Sequence, residues 1–181
     1  MSVYSILGAP QFGQMQSRLI FALDVASVPE ALDLVKLLRN EVGMFKVGKQ
    51  LFLHAGPDVV REIKRHGGEV FLDLKFHDIP RTVAKAGAEA TRLGVRMFDV
   101  HASGSVAMMR QTINEVNKVC RTERLVRPKV LAVTVLTSLN QDDLKRLEAI
   151  EAEEAKKRGL EEFKFASNEE MLQAMGLVET A

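Results

Sequence analysis

Five short apolar runs punctuate the chain, separated by segments of helical period. The runs are Arg18–Asp24, Met44–Val47, Glu69–Leu74, Arg96–Val100 and Lys129–Leu136. Most are apolar on both alternating faces, the pattern of strands covered on both sides of a parallel sheet. Between them the apolar spacing becomes helical. Ser27-Val28-Pro29-Glu30 forms a capping box with proline in the first turn, followed by Ala31, Leu34, Val35 and Leu38 on one face. Gly56-Pro57 opens a second helix and Gly67-Gly68 closes it. Pro80 opens a third, with Val83, Ala86, Ala90 and Leu93 as its stripe and Gly94 as its stop. A fourth carries Val106, Met109, Ile113 and Val116.

The runs begin at residues 18, 44, 69, 96 and 129, spaced by 26, 25, 27 and 33 residues. A strand and a helix repeated at this interval predict an α/β fold with a parallel sheet, either doubly wound or a TIM-like (β/α) barrel. An eightfold barrel takes about 250 residues. The 181 residues here leave room for five to six units, so the expected repeat is incomplete. Beyond the fifth run the chain changes character: fourteen of the 24 residues from Gln141 to Lys164 are charged. Glu153/Lys157 and Glu154/Arg158 are spaced as helix-supporting pairs, predicting a solvated helix. Phe163–Ala166 has the pattern of a short sixth strand, and Ser167-Asn168-Glu169-Glu170 of a cap to a brief helix.

Composition narrows the function classes. Hydrophobic residues make up 46% of the chain and charged residues 27%, enough apolar matter for a core. A net charge of +1 and no aromatic–basic stripe give no support for nucleic-acid binding. No apolar run approaches a membrane span, so no membrane partner is expected. Cys120 is the single cysteine, which favours a reducing, cytoplasmic setting, and the first residues do not have the pattern of a secretory signal.

The chemistry concentrates at the C-terminal ends of the strands, where such folds build their sites. The third run continues as Asp73-Leu74-Lys75-Phe76-His77-Asp78-Ile79-Pro80. On a strand, Asp73 and Lys75 share a face, with Asp78 in the turn that follows. The other runs end in Asp24, in Lys46, in Asp99 and His101, and in Thr134, Thr137 and Ser138. Charges inside apolar strands are costly unless paired, and Asp24, Lys46, Asp73 and Lys75 are placed to satisfy one another. No metal site is expected, because Lys75 supplies a fixed cation between Asp73 and Asp78. His77 and His101 fit structural histidines, Cys120 has no base nearby, and Met108-Met109 fits helix packing.

DLKFHDIP resembles the signature of orotidine-5′-phosphate decarboxylases. Leu19–Asp24, FKVGKQLF (Phe45–Phe52), DVHASG (Asp99–Gly104) and AVTVLTS (Ala132–Ser138) resemble that family's first, second, fourth and fifth strands. The likeness spans residues 18–147, between an N-terminal extension (1–17) and a charged helical tail (148–181). It implies cofactor-free decarboxylation of orotidine 5′-phosphate on a TIM barrel. Lys75 would be the proton donor, Asp73 would face the substrate carboxylate, and Lys46 and Asp78 would complete a Lys-Asp-Lys-Asp network. The resemblance further implies substrate contacts from Asp24, Lys46, Ile79, Thr82 and Thr137, and a homodimer in which Asp78 reaches the neighbouring site.

The family's phosphate-binding turns, of Pro-Gly-Ile-Arg and Val-Gly-Arg type on its seventh and eighth strands, have no counterpart in this sequence. Weak binding and a severe loss of rate are therefore expected. Two alternatives stand beside the enzyme: an inactive truncated or rearranged remnant that associates through exposed sheet edges, and a Mg²⁺-dependent sugar-phosphate lyase or aldolase using Asp73.

Overall fold

A computed structural model describes residues 18–158 of the chain. Five parallel strands form one sheet in the order β1-β2-β3-β4-β5: β1 (Ile20–Ala22), β2 (Met44–Gly48), β3 (Val70–Phe76), β4 (Met97–His101) and β5 (Lys129–Val133). Helices alternate with them: α1 (Val28–Leu38), α2 (Lys49–Ala55), α3 (Asp58–Arg65), α4 (Pro80–Arg92), α5 (Val106–Glu123) and α6 (Gln141–Lys157). A doubly wound sheet reverses its strand order at a switch point. Here each strand pairs with its successor without reversal, the order of a (β/α) barrel, and this decides between the two architectures the spacing allows.

The core lies between one face of the sheet and the helices. Phe45, Val47, Val70, Leu72, Phe98 and Val100 recur at every second position and are all essentially inaccessible. Against them pack Ala31 and Val35 of α1, Val59, Val60 and Ile63 of α3, and Met108, Met109 and Val116 of α5. Burying a side chain of this size contributes about 1.5–3 kcal/mol each, and it orients the sheet. With these residues turned to the helices, Lys46, Asp73 and Asp99 on intervening positions point to the opposite face.

The local signals act where the sequence puts them. Ser27 Oγ accepts from the Glu30 N–H at 3.4 Å and Pro29 sits in the first turn of α1. Gly67 and Gly94 take φ of +84° and +72° just past α3 and α4, a backbone state that stops a helix without a Cβ penalty. In α6 Lys157 pairs with Glu153 at 3.0 Å and Arg158 with Glu154 at 4.0 Å, and its described side chains are largely exposed.

The structure corrects several boundaries. Strand β1 has only three residues, and β5 ends at Val133, leaving Thr134–Ser138 beyond it. FKVGKQLF is a strand only as far as Gly48; Lys49–Ala55 is a separate helix, so Gly56-Pro57 joins two helices. Helix α2 hides well in the sequence: it has no side-chain cap, and it buries only Leu51. Residues 1–17, Phe163–Ala166 and the segment after Ser167 lie outside the described residues. Among the described residues no helix is long and apolar enough to cross a membrane.

Candidate active site

Strand register brings the charges together. Asp73 on β3 stands opposite Gly48 on β2, and Lys46 on β2 stands opposite Ala22 on β1. One further bond, from the Leu23 N–H to the Lys46 carbonyl at 3.0 Å, carries Asp24 to the same level. Lys46 Nζ lies 3.1 Å from Asp24 Oδ1 and 3.6 Å from Asp73 Oδ2. Lys75 Nζ donates to Asp73 Oδ1 and lies 3.7 Å from Asp99 Oδ2. The result is an alternating chain of charges, Asp24–Lys46–Asp73–Lys75–Asp99, across the C-terminal ends of the first four strands.

Lys75 does not sit on a regular strand. Its φ is +52°, the left-handed region, where a non-glycine residue is strained. The β3–β4 register shifts between Leu72 and Phe76, so that Phe76 stands opposite Val100. An irregularity of this kind re-aims a side chain and breaks the ladder locally. The Lys75 N–H donates instead to Asp99 Oδ1 at 2.8 Å. Past the kink, Phe76 packs edge-on against Phe98 with ring centroids 6.0 Å apart.

The electrostatics are uneven. Burial pushes the Asp99 carboxyl up, and the neighbouring Asp73 adds to this, leaving it at about 6 despite the bond from the Lys75 backbone. Burial pushes Asp73 the same way. It is outweighed by the Lys75 hydrogen bond, the proximity of Asp99 and the charges of Lys75 and Lys46, so Asp73 ends below the usual carboxylate range. Burial disfavours the Lys75 cation, but hydrogen bonding and charge from Asp73, with Asp99 behind, raise it above an ordinary lysine. Asp73 is an anion and Lys75 a cation at neutral pH.

This network floors an open cavity of about 370 Å³, bordered also by Val25, Gly48, Lys49 and Leu136. Asp24, Lys46, Asp73 and Lys75 all line it. Asp78, Ile79 and Thr82 do not: they are exposed in the turn after β3 and the first turn of α4, with Asp78 Oδ1 accepting from the Ile79 N–H at 2.6 Å. Thr137 is exposed beyond β5.

The residue that sequence reasoning places at a strand end but leaves out of the network is Asp99. Its signal was an acid between Phe98 and Val100, two core residues, where an unpaired charge is costly. His77 and His101 stand together, ring centroids 5.2 Å apart, and burial together with the charges of His77, Lys49 and Lys75 holds His101 below an ordinary histidine. Burial pushes the Cys120 thiol up, which makes it a poor nucleophile. Among the described residues no three metal-ligating side chains converge.

Comparison with known proteins gives the same direction from three sides. Residues 17–178 match the model of the "Orotidine 5'-phosphate decarboxylase / HUMPS family". The orotidine 5′-phosphate decarboxylase of Syntrophotalea carbinolica is 56% identical over 134 residues, 74% of this chain and 55% of that protein. That of Syntrophomonas wolfei is 56% identical over 131 residues, 72% of this chain and 55% of that protein. The chain thus spans about half the length of the curated relatives it matches. Among solved structures, the orotidine 5′-phosphate decarboxylase of Lactobacillus acidophilus superposes with a TM-score of 0.64 at 33% identity, covering 72% of this chain and 58% of that one. An uncharacterized conserved protein from Geobacillus kaustophilus superposes with the same TM-score and identity, covering 87% of this chain and 78% of that one.

Proposed function

The chain belongs to the orotidine 5′-phosphate decarboxylase / HUMPS family, and from that premise we propose that its site decarboxylates orotidine 5′-phosphate to UMP and CO2, the closing step of pyrimidine nucleotide synthesis. The observation that carries this reading is the Lys75 ammonium, held by Asp73 and Asp99 over a cavity that Asp73 and Lys46 also line.

Breaking the bond from C6 to the carboxylate leaves an electron pair on C6 in the plane of the pyrimidine ring, where the ring's own π system cannot accept it. A fixed cation, already oriented, stabilises that charge without reorganising at the moment of reaction. Lys75 is such a cation, since its neighbours favour the charged form. Its Nζ then gives a proton to C6, forming the C–H bond, and regains one from water. Asp73, ionised and close by, faces the departing carboxylate. In this reading Asp24 and Lys46 hold the ribose hydroxyls. Ile79, Thr82 and Thr137 are the further contacts of this reading.

We propose a homodimer in a cytoplasmic setting. The exposed Asp78, on a turn beside the site but outside its network, supports a role toward a neighbouring subunit, and the lone Cys120 supports a reducing compartment. No cofactor or metal enters the mechanism.

The test is UMP formation from orotidine 5′-phosphate by the purified chain without added metal, beside Lys75→Ala. Activity lost in Lys75→Ala supports the assignment. A variant as active as the parent overturns it. A cooperatively folded parent that makes no UMP overturns the decarboxylase reading and favours an inactive remnant that keeps the charges without the binding energy to use them. Sedimentation of the same protein as a monomer would overturn the dimer.

A further inference from the structure

We propose that Asp99 is a positioning residue for Lys75, holding the left-handed backbone turn that aims the ammonium at the cavity. The argument begins with a cost. A lysine at φ +52° is strained, and such a conformation persists only where its surroundings over-determine it. The register shift between Leu72 and Phe76 interrupts the ladder with β4 at this point. An unpaired N–H buried beside β4 would add a penalty of its own. Asp99 removes that penalty: Oδ1 accepts the Lys75 N–H at 2.8 Å, while Oδ2 lies 3.7 Å from Nζ of the same residue. One carboxylate thereby contacts Lys75 at both ends, backbone and ammonium.

Asp99 is itself buried in the sheet. The residue is 1% exposed, in register between Phe98↔Val130 and Val100↔Ala132 in the β4–β5 ladder, and its own partner on β5 is the uncharged Leu131. The charged groups that face its carboxyl are Asp73 and Lys75 on β3, with Lys46 of β2 reached only through Asp73. A buried acceptor held in the sheet thus sets the position of a longer, more exposed lysine side chain. The rest of the network is more accessible: Asp24 is 73% exposed and ties Lys46 from the solvent side.

This role deepens the decarboxylase reading and rests on it for its effect on rate, so the test has two readouts. One is the pH profile of competitive acetylation of Lys75 by acetic anhydride, read by mass spectrometry. The other is kcat and KM for orotidine 5′-phosphate. Asp99→Asn keeps an oxygen to accept the Lys75 N–H; Asp99→Ala keeps none. Asp99→Asn is expected to hold kcat within about tenfold of the parent, the difference between a charged and a neutral acceptor. Asp99→Ala is expected to lower kcat on the order of a hundredfold with little change in KM, the scale of a small misplacement of a reacting group. At pH 8, Lys75 acetylation should rise about tenfold in Asp99→Ala, one unit of lysine pKa, and by less in Asp99→Asn.

An Asp99→Ala protein with the parent's kcat and labelling overturns the proposal, as does an Asp99→Asn protein as impaired as Asp99→Ala. If Asp99→Ala does not fold, the isosteric Asp99→Asn decides: a hundredfold loss there overturns the role, and retention within tenfold supports it. If the parent makes no UMP, the decarboxylase reading fails. Labelling then decides alone: Lys75 protected in parent and Asp99→Asn supports the role, and Lys75 labelled in Asp99→Asn as a surface lysine overturns it.

Discussion

Asp73 and Asp99 stand on neighbouring strands and hold Lys75 between them, its Nζ donating to Asp73 Oδ1 and lying 3.7 Å from Asp99 Oδ2, and the fold drives their titrations apart: burial and the neighbouring Asp73 lift Asp99 to about 6, while Lys75 and Lys46 draw Asp73 below its usual range. The pair titrates as a unit, and its two limbs have opposite consequences for stability. Between about pH 4 and about pH 6 the folded chain retains a proton at Asp99 that the unfolded chain has released. Rising pH therefore destabilises the fold through this group. Asp73 acts the other way: its contribution is present above the unfolded value of 3.8 and is lost as pH falls through its lowered folded value. Asp99→Asn removes the first limb. Its stability relative to the parent should rise steadily from pH 4 to pH 6 and level off near pH 7, measured as urea midpoints across that range. A difference that stays constant with pH would contradict the assignment.

Lys46 joins an exposed acid to a buried one, and the two ends of that link are unequal. Asp24 keeps 73% of its side chain in water and Asp73 only 14%. An exposed pair contributes about 0–1 kcal/mol, whereas a buried carboxylate that loses a partner costs about 1–3 kcal/mol. Lys46→Gln should therefore destabilise the protein at pH 7 clearly more than Asp24→Asn does. That destabilisation should shrink as acid carries the solution below pH 3.8 and through the lowered folded value of Asp73, where Asp73 takes up a proton and no longer needs a cation. Thermal melts of both variants at pH 7 and at acid pH read this directly. Equal effects from the two substitutions would show that the Asp24 side, rather than the Asp73 side, anchors Lys46.

Most of this arrangement was legible in the sequence because it depends on periodicity. Runs of apolar residues at 25- to 33-residue intervals specify strands and their order in the chain, and polar residues closing those runs fall at the same end of a parallel sheet. Asp24, Lys46, Asp73 and Lys75 could be placed together on that basis alone. Two features could not, for different reasons. Helix α2 is seven residues long with one buried side chain, so it leaves no stripe to detect. The left-handed turn at Lys75 breaks the two-residue alternation on which strand reasoning rests, and nothing in Leu74-Lys75-Phe76 marks it, because lysine carries no preference for that conformation. The cause lies on another strand, in Asp99, and a contact across 24 residues of sequence becomes visible only with the register.

Gly48 separates binding at this site from the stability of the fold. It ends β2 and precedes α2 with φ −87° and ψ 177°, an extended state open to any residue. A Cβ built there would stand 3.7 Å from Lys46 Nζ and 3.9 Å from Asp24 Oδ1, both ordinary contacts. The backbone thus tolerates alanine, and the expected change in stability is within about 1 kcal/mol, the lost helix-start preference offsetting the entropy gained from the stiffer chain. The added methyl would project beside the two groups proposed to hold the ribose, into a cavity of about 370 Å³. Gly48→Ala should accordingly melt with the parent while binding UMP about tenfold more weakly, the order of effect of one misplaced methylene in a binding site. Calorimetric titration with UMP beside a thermal melt checks both halves. A variant that binds UMP as the parent does would move the ribose away from β2, and with it the proposed contacts of Asp24 and Lys46.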